Sequence, residues 1–413
     1  MKLEIERADF LKAWQTAEKY TQSKTNMDAI NGIRITAKDD IATLEATDKK
    51  SSIKCVAKGA AILESGVAVL NAAIFGEMLR KSQAKTLSLT INDDRVTLSS
   101  YRSKSRFTLI PVETFPAIPA SSEAEEICTI MAKDFGQLIN EGCCAASQPS
   151  DFPKYLGTCL IRTENENIIA VSTDGKRLAR SQTACISVNK QEDILMPAAA
   201  LKDLIKLFAG EETVTILSDG NLVWFRLDEA EFSVSRIDAS FPKYEKILND
   251  ELKTSMKVNK SALVQAIERV DIISKTNPAV HIMAMHINPE SGELRITARS
   301  PECGTTSESL EANIEGAPMQ IGYNVNYFMD GLKAVNSDVV LVEFSDDEGQ
   351  TRIFNEESKD FLYMLMPIRL TPQDILSDDD YDVPEAYEAP QPEESAQEQE
   401  APQEQGQESE APF

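Results

Sequence analysis

The chain has 413 residues, 42% hydrophobic and 26% charged, with 67 Asp+Glu against 42 Lys+Arg and a formal net charge of −25. That length predicts two to four domains of ordinary globular composition. No apolar run approaches the ~18 residues of a membrane-spanning helix, and Met1–Arg7 carries no apolar signal core, so the expected compartment is the cell interior. There the seven cysteines, none in a CxxC pair, read as small buried hydrophobes rather than a disulfide framework, Cys143-Cys144 included.

The predicted elements fall into three repeats. In the first, residues 1–122, a period-2 strand leads into a helix headed by Ala8-Asp9-Phe10-Leu11. Thr47-Asp48 follows, then a second helix with Ala73-Ile74-Phe75-Gly76, a hairpin turning at Asn92-Asp93-Asp94, and a closing Phe115-Pro116. The second, 127–248, runs through Lys133-Asp134-Phe135-Gly136, Thr173-Asp174, Ala200-Leu201-Lys202-Asp203, a turn at Ser218-Asp219-Gly220-Asn221, and Phe241-Pro242. The third, 254–370, has Ser261-Ala262-Leu263-Val264, Tyr327-Phe328-Met329-Asp330 and a turn at Asp346-Asp347-Glu348-Gly349. The first-helix anchors Phe10, Phe135 and Leu263 are 125 and 128 residues apart; the second-helix anchors Phe75, Leu201 and Phe328 are 126 and 127 apart. Asp and Gly supply the turn conformations, and alternation supplies half-buried strands. The expected fold class is α+β, three repeated domains with mostly antiparallel sheet, which similar rotations could carry into an arc or a closed ring.

Residues 371–413 differ in kind. They hold 14 of the 67 acids and no Lys or Arg, which leaves the body 53 acids against 42 bases. Rich in Glu, Gln, Pro and Ser, this segment is expected to be a disordered acidic tail, because it cannot bury enough apolar surface to offset ordering entropy.

The helices carry a second pattern. Phe10, Trp14 and Ala17 form one stripe of the first helix, and Lys12 and Lys19 lie almost opposite it. Five residues past each second-helix anchor stands a cation: Arg80, Lys206 and Lys333. Arg269 and Lys275 add charge to the third repeat, and Lys24 follows the first helix. If the helices share one side, these residues make one cationic surface on an otherwise acidic molecule. Such a surface suits phosphate contacts without base readout.

Candidate chemistry is thin. The two histidines, His281 and His286, are five apart in a predicted strand and so on opposite faces, unsuited to a shared metal. No GxGxxG, Walker loop, HExxH or GxSxG occurs, and no nucleophile–base pair stands out. No catalytic residue, metal or cofactor is therefore assigned.

Three segments carry a family resemblance: Val171-Ser172-Thr173-Asp174-Gly175-Lys176-Arg177-Leu178-Ala179, Phe241-Pro242-Lys243-Tyr244, and Tyr363-Met364-Leu365-Met366-Pro367-Ile368-Arg369-Leu370. In this order on a threefold repeat they resemble the sliding-clamp β subunits of bacterial DNA polymerase III, over residues 1–370. The resemblance implies a cytoplasmic, nucleoid-associated, non-enzymatic processivity factor. It implies a head-to-tail homodimer, a six-domain ring with outer sheets and inner helices around double-stranded DNA, read without sequence preference. Lys24 and Arg80 match basic channel positions of the family, whereas Pro197-Ala198-Ala199 lacks a cation that clamps often carry there. Implied partners are the replicative polymerase subunit, the clamp loader and other proteins that insert a short peptide with Gln, Leu and Phe anchors. No membrane partner is implied.

The implied cleft comprises Leu156, Thr173, Gly175, Lys176, Arg177, Leu178, Pro242, Lys246, Ile247, Met364, Met366, Pro367, Ile368, Arg369 and Leu370, with Gln350 as a possible contributor. Lys176 stands where many clamps have His. The implied dimer contact sets Phe107 and Leu109 of one chain against Ile272 and Ile273 of the next, with Lys104 and Arg106 facing acids such as Glu302 and Glu308. The tail is the main departure from the family. Gln373-Asp374-Ile375-Leu376 faintly resembles an anchor peptide and is expected to compete weakly for the cleft. The competing readings are a repeat-built interaction scaffold that never meets DNA, and a metal-dependent hydrolase using unrecognised carboxylates.

Overall fold

The computed structural model describes residues 1–22, 28–92, 95–149, 151–208, 210–249, 251–276, 281–371 and 374. Among the described residues each repeat supplies nine strands and two α-helices. The first has β1 Lys2–Glu6, β2 Gly32–Lys38, β3 Ile41–Thr47, β4 Ser51–Val56, β5 Ala60–Glu64, β6 Gly66–Asn71, β7 Thr86–Asn92, β8 Arg95–Ser99 and β9 Lys104–Thr108, with helices α1 Arg7–Glu18 and α2 Ala72–Lys81. The second has β10 Glu125–Met131, β11 Thr158–Glu164, β12 Asn167–Thr173, β13 Arg177–Ala184, β14 Ser187–Val188, β15 Asp193–Pro197, β16 Thr213–Ser218, β17 Leu222–Arg226 and β18 Ala230–Ser235, with α3 Ala132–Gly142 and α4 Ala198–Leu204. The third has β19 Thr254–Asn259, β20 Ile282–Asn288, β21 Glu293–Ser300, β22 Gly304–Glu311, β23 Asn313–Glu315, β24 Met319–Asn324, β25 Val339–Phe344, β26 Thr351–Asn355 and β27 Phe361–Leu365, with α5 Lys260–Ser274 and α6 Val325–Ala334.

The anchors named from the repeat are the pegs of the packing: Phe10, Phe75, Phe135, Leu201, Leu263 and Phe328 are all fully buried. Trp14 lies 4.6 Å from Phe75, ring to ring, and joins α1 to α2; Phe135 meets Phe225 at 5.7 Å and seats α3 on its sheet. Helix starts repeat as well. Asn71, Asn259 and Asn324 each accept the backbone N–H three residues on, from Ile74, Ala262 and Tyr327, at 2.9–3.1 Å. That bond satisfies an N–H left open at a helix N-terminus. Cys143 caps α3 and is buried, while Cys144 just past it is half-buried.

The sheets do not respect the repeat boundaries. One nine-stranded sheet runs β14-β10-β16-β17-β18-β4-β3-β2-β6 and another β15-β11-β12-β13-β27-β26-β25-β19-β23. In each, five strands of one domain join four of the preceding one: β18 pairs antiparallel with β4, and β27 with β13. The two registers are equivalent, Ser233 standing opposite Ser52 and Met364 opposite Leu178. Left over are a five-stranded sheet, β5-β1-β7-β8-β9, and a four-stranded sheet, β22-β21-β20-β24. Their outer strands are β5 and β9 in the first and β22 and β24 in the second; β9 and β22 stand where β18, β4, β27 and β13 make the two internal junctions.

The helices form a second layer on one side of these sheets. α1 packs on α2, α3 on α4 and α6, and α5 on α6. Tyr20, just past α1, packs its ring at a tilt against Phe232 of the second domain, centroids 5.1 Å apart, which carries the row across the first boundary.

The Thr-Asp recurrence is a turn. Asp48 Oδ1 accepts the N–H of Lys50 and Ser51, and Asp174 Oδ1 accepts those of Lys176 and Arg177, at 2.7–3.0 Å. Thr47 and Thr173 donate their hydroxyls to Ser51 O and Arg177 O. Ser218-Asp219 builds the same turn, closed on Leu222. The residue after each Asp has a left-handed φ: 75° at Lys49, 85° at Gly175 and 95° at Gly220. Glycine fits such a φ without steric cost, and Lys49 adopts it against the trend for side chains with a Cβ.

Candidate nucleic-acid interface and peptide cleft

The structure sorts the cations of the helix layer into two groups. Lys19, Lys275 and Lys333 are exposed. Lys12 and Lys206, the latter in a 3-10 turn just past α4, are exposed too, each with an Asp three residues earlier, Asp9 at 3.0 Å and Asp203 at 2.5 Å. Such surface pairs are weak and exchange with other partners. Arg80 and Arg269 depart from the expectation of free cations. Arg80 is clasped by Glu18 and Glu77, each at 2.8 Å, which hold its guanidinium protonated and offset its charge. Arg269 makes a two-pronged bond to Glu308, at 2.8 and 2.6 Å. Both helix layer and cation stripe were legible in the sequence; the carboxylates that quench two of its members were not, because Glu18 and Glu308 are distant in sequence. Lys24 lies outside the described residues.

Part of the expected cleft set meets at the junction of the second and third domains. Leu178 and Met364 face each other across β13 and β27 and are buried, and Met366 donates its N–H to Lys176 O at 3.0 Å. Above them Ile247 and Met366 keep 44% and 41% of their surface exposed, an apolar rim over an apolar floor. Leu156 and Pro242 are half-buried, while Gly175, Lys176 and Lys246 are exposed. Gln350 proves integral. It is buried, and its amide nitrogen donates to Ile247 O at 2.8 Å, tying the interdomain segment to the third domain.

Two parts of the expected cleft behave differently. Arg177, expected among the cleft residues, is a buried clasp: it bonds Asp174 at 2.9 Å and Asp330 of α6 at 2.5 Å, reaches Tyr363 Oη at 3.3 Å, and lies 4.3 Å from the Tyr327 ring. Thr173 is likewise buried, closing the turn that aims Arg177. Ile368, Arg369 and Leu370 instead follow half-buried Pro367 onto the third domain, where Ile368 donates to Gly322 O at 2.8 Å. They line a cavity of about 880 Å³ with Lys253, His286 and Gln320, none of which was among the expected cleft residues. His286 Nδ1 accepts from the Gln320 amide nitrogen, 2.7 Å away, and burial beside Arg295 pulls its pKa down. His281 sits just before β20 with its own partners, Asp271 and Asn326.

At the expected dimer contact, Phe107 turns inward. It is half-buried and meets Phe75 of α2 edge-on at 5.9 Å; Leu109 packs on the same core. Because strand side chains alternate, Lys104 and Arg106 face the opposite side, away from the helices. Glu308 faces the helices, where Arg269 of its own chain holds it, so it is not placed to meet Lys104 or Arg106 as the sequence suggested. Glu302 is exposed beside β22. Ile272 is 55% exposed on α5 and Ile273 half-buried. The sequence reading missed Ile74 and Met78 of α2, 53% and 39% exposed beside Phe75; apolar residues off the buried stripe of that helix were the available signal.

A row of three like domains with one cationic helix face and edge strands left open defines a sliding-clamp architecture, and comparison with known proteins agrees. The N-terminal, central and C-terminal domain models of the DNA polymerase III beta subunit match residues 1–119, 129–243 and 245–369. The Beta sliding clamp of Vibrio cholerae is 24% identical over 372 residues, 90% of this chain and all of that one; that of Staphylococcus aureus is 26% identical over 83% of this chain and 93% of its own. In fold, the chain superposes with a TM-score of 0.83 on the DNA polymerase sliding clamp of Bacillus subtilis, 22% identical, covering 90% of this chain and all of that one. A clamp from Pseudomonas aeruginosa bound to griselimycin, 21% identical at the same coverages, also scores 0.83. The chain belongs to the DNA polymerase III beta subunit family, whose members are DNA sliding clamps.

Proposed function

We propose that two copies of this chain close head to tail into a ring around duplex DNA and tether a polymerase and other peptide-bearing partners to it, doing no chemistry themselves. The sheet arithmetic carries this reading. Both internal junctions join five strands to four by the same pairing, and the strands without such a partner are five ending in β9 and four ending in β22. The pairing that closes the interior twice would, repeated between chains, complete a third nine-stranded sheet. Such pairing also removes two open sheet edges, otherwise templates for aggregation. The helix row then faces inward. Lys12, Lys19, Lys206, Lys275 and Lys333 would meet phosphates, and the body's net acidity would repel DNA elsewhere. Phosphate contacts carry no sequence information, so the ring slides; topology rather than affinity retains it. The apolar floor of Leu178 and Met364 under flexible Met366 suits peptide anchors of more than one kind.

Copying the internal register onto β9 and β22 sets Ser105 opposite Thr306 and Arg106 opposite Thr305. The test is a Ser105→Cys, Thr306→Cys chain. Directly opposed strand residues lie within disulfide reach, so mild oxidation should link two 45.6-kDa chains into a species of about 91 kDa. That species should stay on nicked circular DNA through a high-salt wash and leave linearised DNA. A protomer that remains monomeric at micromolar concentration, or equal retention on both DNAs, refutes the ring.

A further inference from the structure

We infer a divalent-cation site at the joint of the first and second domains, where a magnesium ion takes the place that the Arg177 guanidinium holds at the joint of the second and third. The two joints are built alike. β4 pairs with β18 as β13 pairs with β27, with Ile53 opposite Phe232 and Ala179 opposite Tyr363. At the later joint three groups grip Arg177: Asp174 Oδ2 on the β12–β13 turn, Asp330 Oδ2 on α6, and Tyr363 Oη. Both carboxylates recur at the earlier joint. Asp48 caps the equivalent β3–β4 turn, and Asp203 stands two residues past the α4 anchor Leu201, as Asp330 stands two past Phe328.

The guanidinium does not recur. Ser51 stands three residues after Asp48, as Arg177 does after Asp174, and its short side chain bonds Asp48 Oδ1. Asp48 and Asp203 bond only through Oδ1, Asp203 to Lys206; the two Oδ2 atoms, counterparts of the oxygens that grip Arg177, accept no hydrogen bond among the described residues. The hydroxyl recurs from a different residue. Phe232 lacks the Oη of Tyr363, and Tyr20, its ring 5.1 Å from that of Phe232, brings one to the joint. Tyr20 is 5% exposed, and its Oη has no hydrogen-bond partner among the described residues. Leaving a buried hydroxyl unpaired costs ~1–3 kcal/mol, which a bound ion offsets. Burial, with the charges of Asp203 and Asp48, holds the Tyr20 pKa above its ordinary value, so both carboxylates act on the phenol. Two carboxylates and a phenol are hard oxygen donors, and the charge of a divalent ion balances the pair of acids. Mg²⁺ is commonly held by one or two carboxylates and keeps several waters, which the 55% exposure of Asp203 allows. The exposed Asp203–Lys206 pair is weak and yields to the ion. Bound there, the ion ties α4 of the second domain to the β3–β4 turn of the first.

The experiment uses the full chain, with Tb³⁺ as a luminescent stand-in for Mg²⁺, excited through tyrosine at constant ionic strength. Emission should saturate, and MgCl₂ should displace part of it. Asp203→Asn, at an exposed helix position, should weaken the displaceable binding at least about tenfold. Tyr20→Phe, which removes only the unpartnered hydroxyl, should abolish the displaceable emission. MgCl₂ should also raise the melting midpoint of the unmodified chain more than that of either variant, and the same melts without metal report that both variants are folded. Carboxylates elsewhere bind metal equally in all three proteins, so the difference between proteins is the reading. Emission that Mg²⁺ does not displace, displaceable binding unchanged in Asp203→Asn, or displaceable emission undiminished in Tyr20→Phe overturns the site.

Discussion

Replacing Arg177 by Ala should loosen the joint between the second and third domains. The guanidinium bridges Asp174 on the β12–β13 turn and Asp330 on α6, and its plane lies 4.3 Å from Tyr327. Removing one member of a buried ion pair costs ~3–5 kcal/mol when the other is stranded. Here the stranding is partial. Asp330 keeps 48% of its side chain exposed and regains water, and Asp174, 8% exposed, retains two backbone N–H donors. Against that discount stands the lost stacking on Tyr327, worth up to ~1–2 kcal/mol. The expected cost is about 2–4 kcal/mol, and Arg177→Lys, which keeps the charge but loses the fork, should cost about half as much. Urea unfolding in a Trp14→Phe background isolates the emission of Trp224, in the second domain. With a slope of ~2 kcal/mol per molar, the Ala variant's midpoint falls by roughly 1–2 M. A shift below about 0.3 M, or equal shifts for Ala and Lys, would refute the clasp.

Four further outcomes follow from the same geometry. Gly331→Ala should destabilise the third domain by ~1–3 kcal/mol or more, since its Cβ would fall 2.2 Å from Tyr363 Cδ1; a thermal melt within 1 °C of wild type contradicts this packing. Gln350→Ala strands Ile247 O and should weaken anchor-peptide binding by about 1–3 kcal/mol, read by calorimetry; unchanged affinity means the rim does not depend on that bond. For DNA, Lys19→Ala and Lys333→Ala should each lower the salt slope of binding by ~0.9 per chain, or ~1.8 for the two-chain ring, and Arg80→Ala, already neutralised by Glu18 and Glu77, by much less; equal slopes would undo the sorting of the helix cations. Glu141, buried with Ser181 donating to it at 2.6 Å, has its carboxyl pKa raised, chiefly by burial. Raised in the folded state, it contributes stability while protonated, and loses it as pH climbs from the ordinary ~4.3 through the folded value. Glu141→Gln should flatten that fall in melts taken from pH 4.5 to 8; an unaltered slope rejects the assignment.

The repeat was legible because it is written in local signals. Anchors such as Phe10, Phe75, Phe135 and Phe328 recur at near-constant spacing, and a large apolar side chain on a helix stripe has one destination. The Thr-Asp turn was visible for the same reason: its hydrogen bonds close within five residues. The cleft motif around Leu178 and Met364 could be named through family resemblance, and pairing across β13 and β27 gives it a floor. What sequence reading misjudged were charges. Arg80 and Arg269 looked like open cations of the helix face, yet Glu18 and Glu308, far away along the chain, hold them, and Arg177, expected among the cleft residues, is held by Asp330 on α6.

The amino-acid order by itself therefore determined three like domains, their buried anchors, and a stripe of cations on their helices, since each depends on neighbours within one turn of helix or one hairpin. Only the tertiary structure decided which cations are quenched, that Gln350 fastens Ile247, that Phe107 faces α2, and that sheets run through domain boundaries to leave β9 and β22 as edges. Those outcomes turn on which distant segments share a face or a strand edge, and a charge or a backbone hydrogen bond takes whatever partner the fold brings within about 3 Å of it.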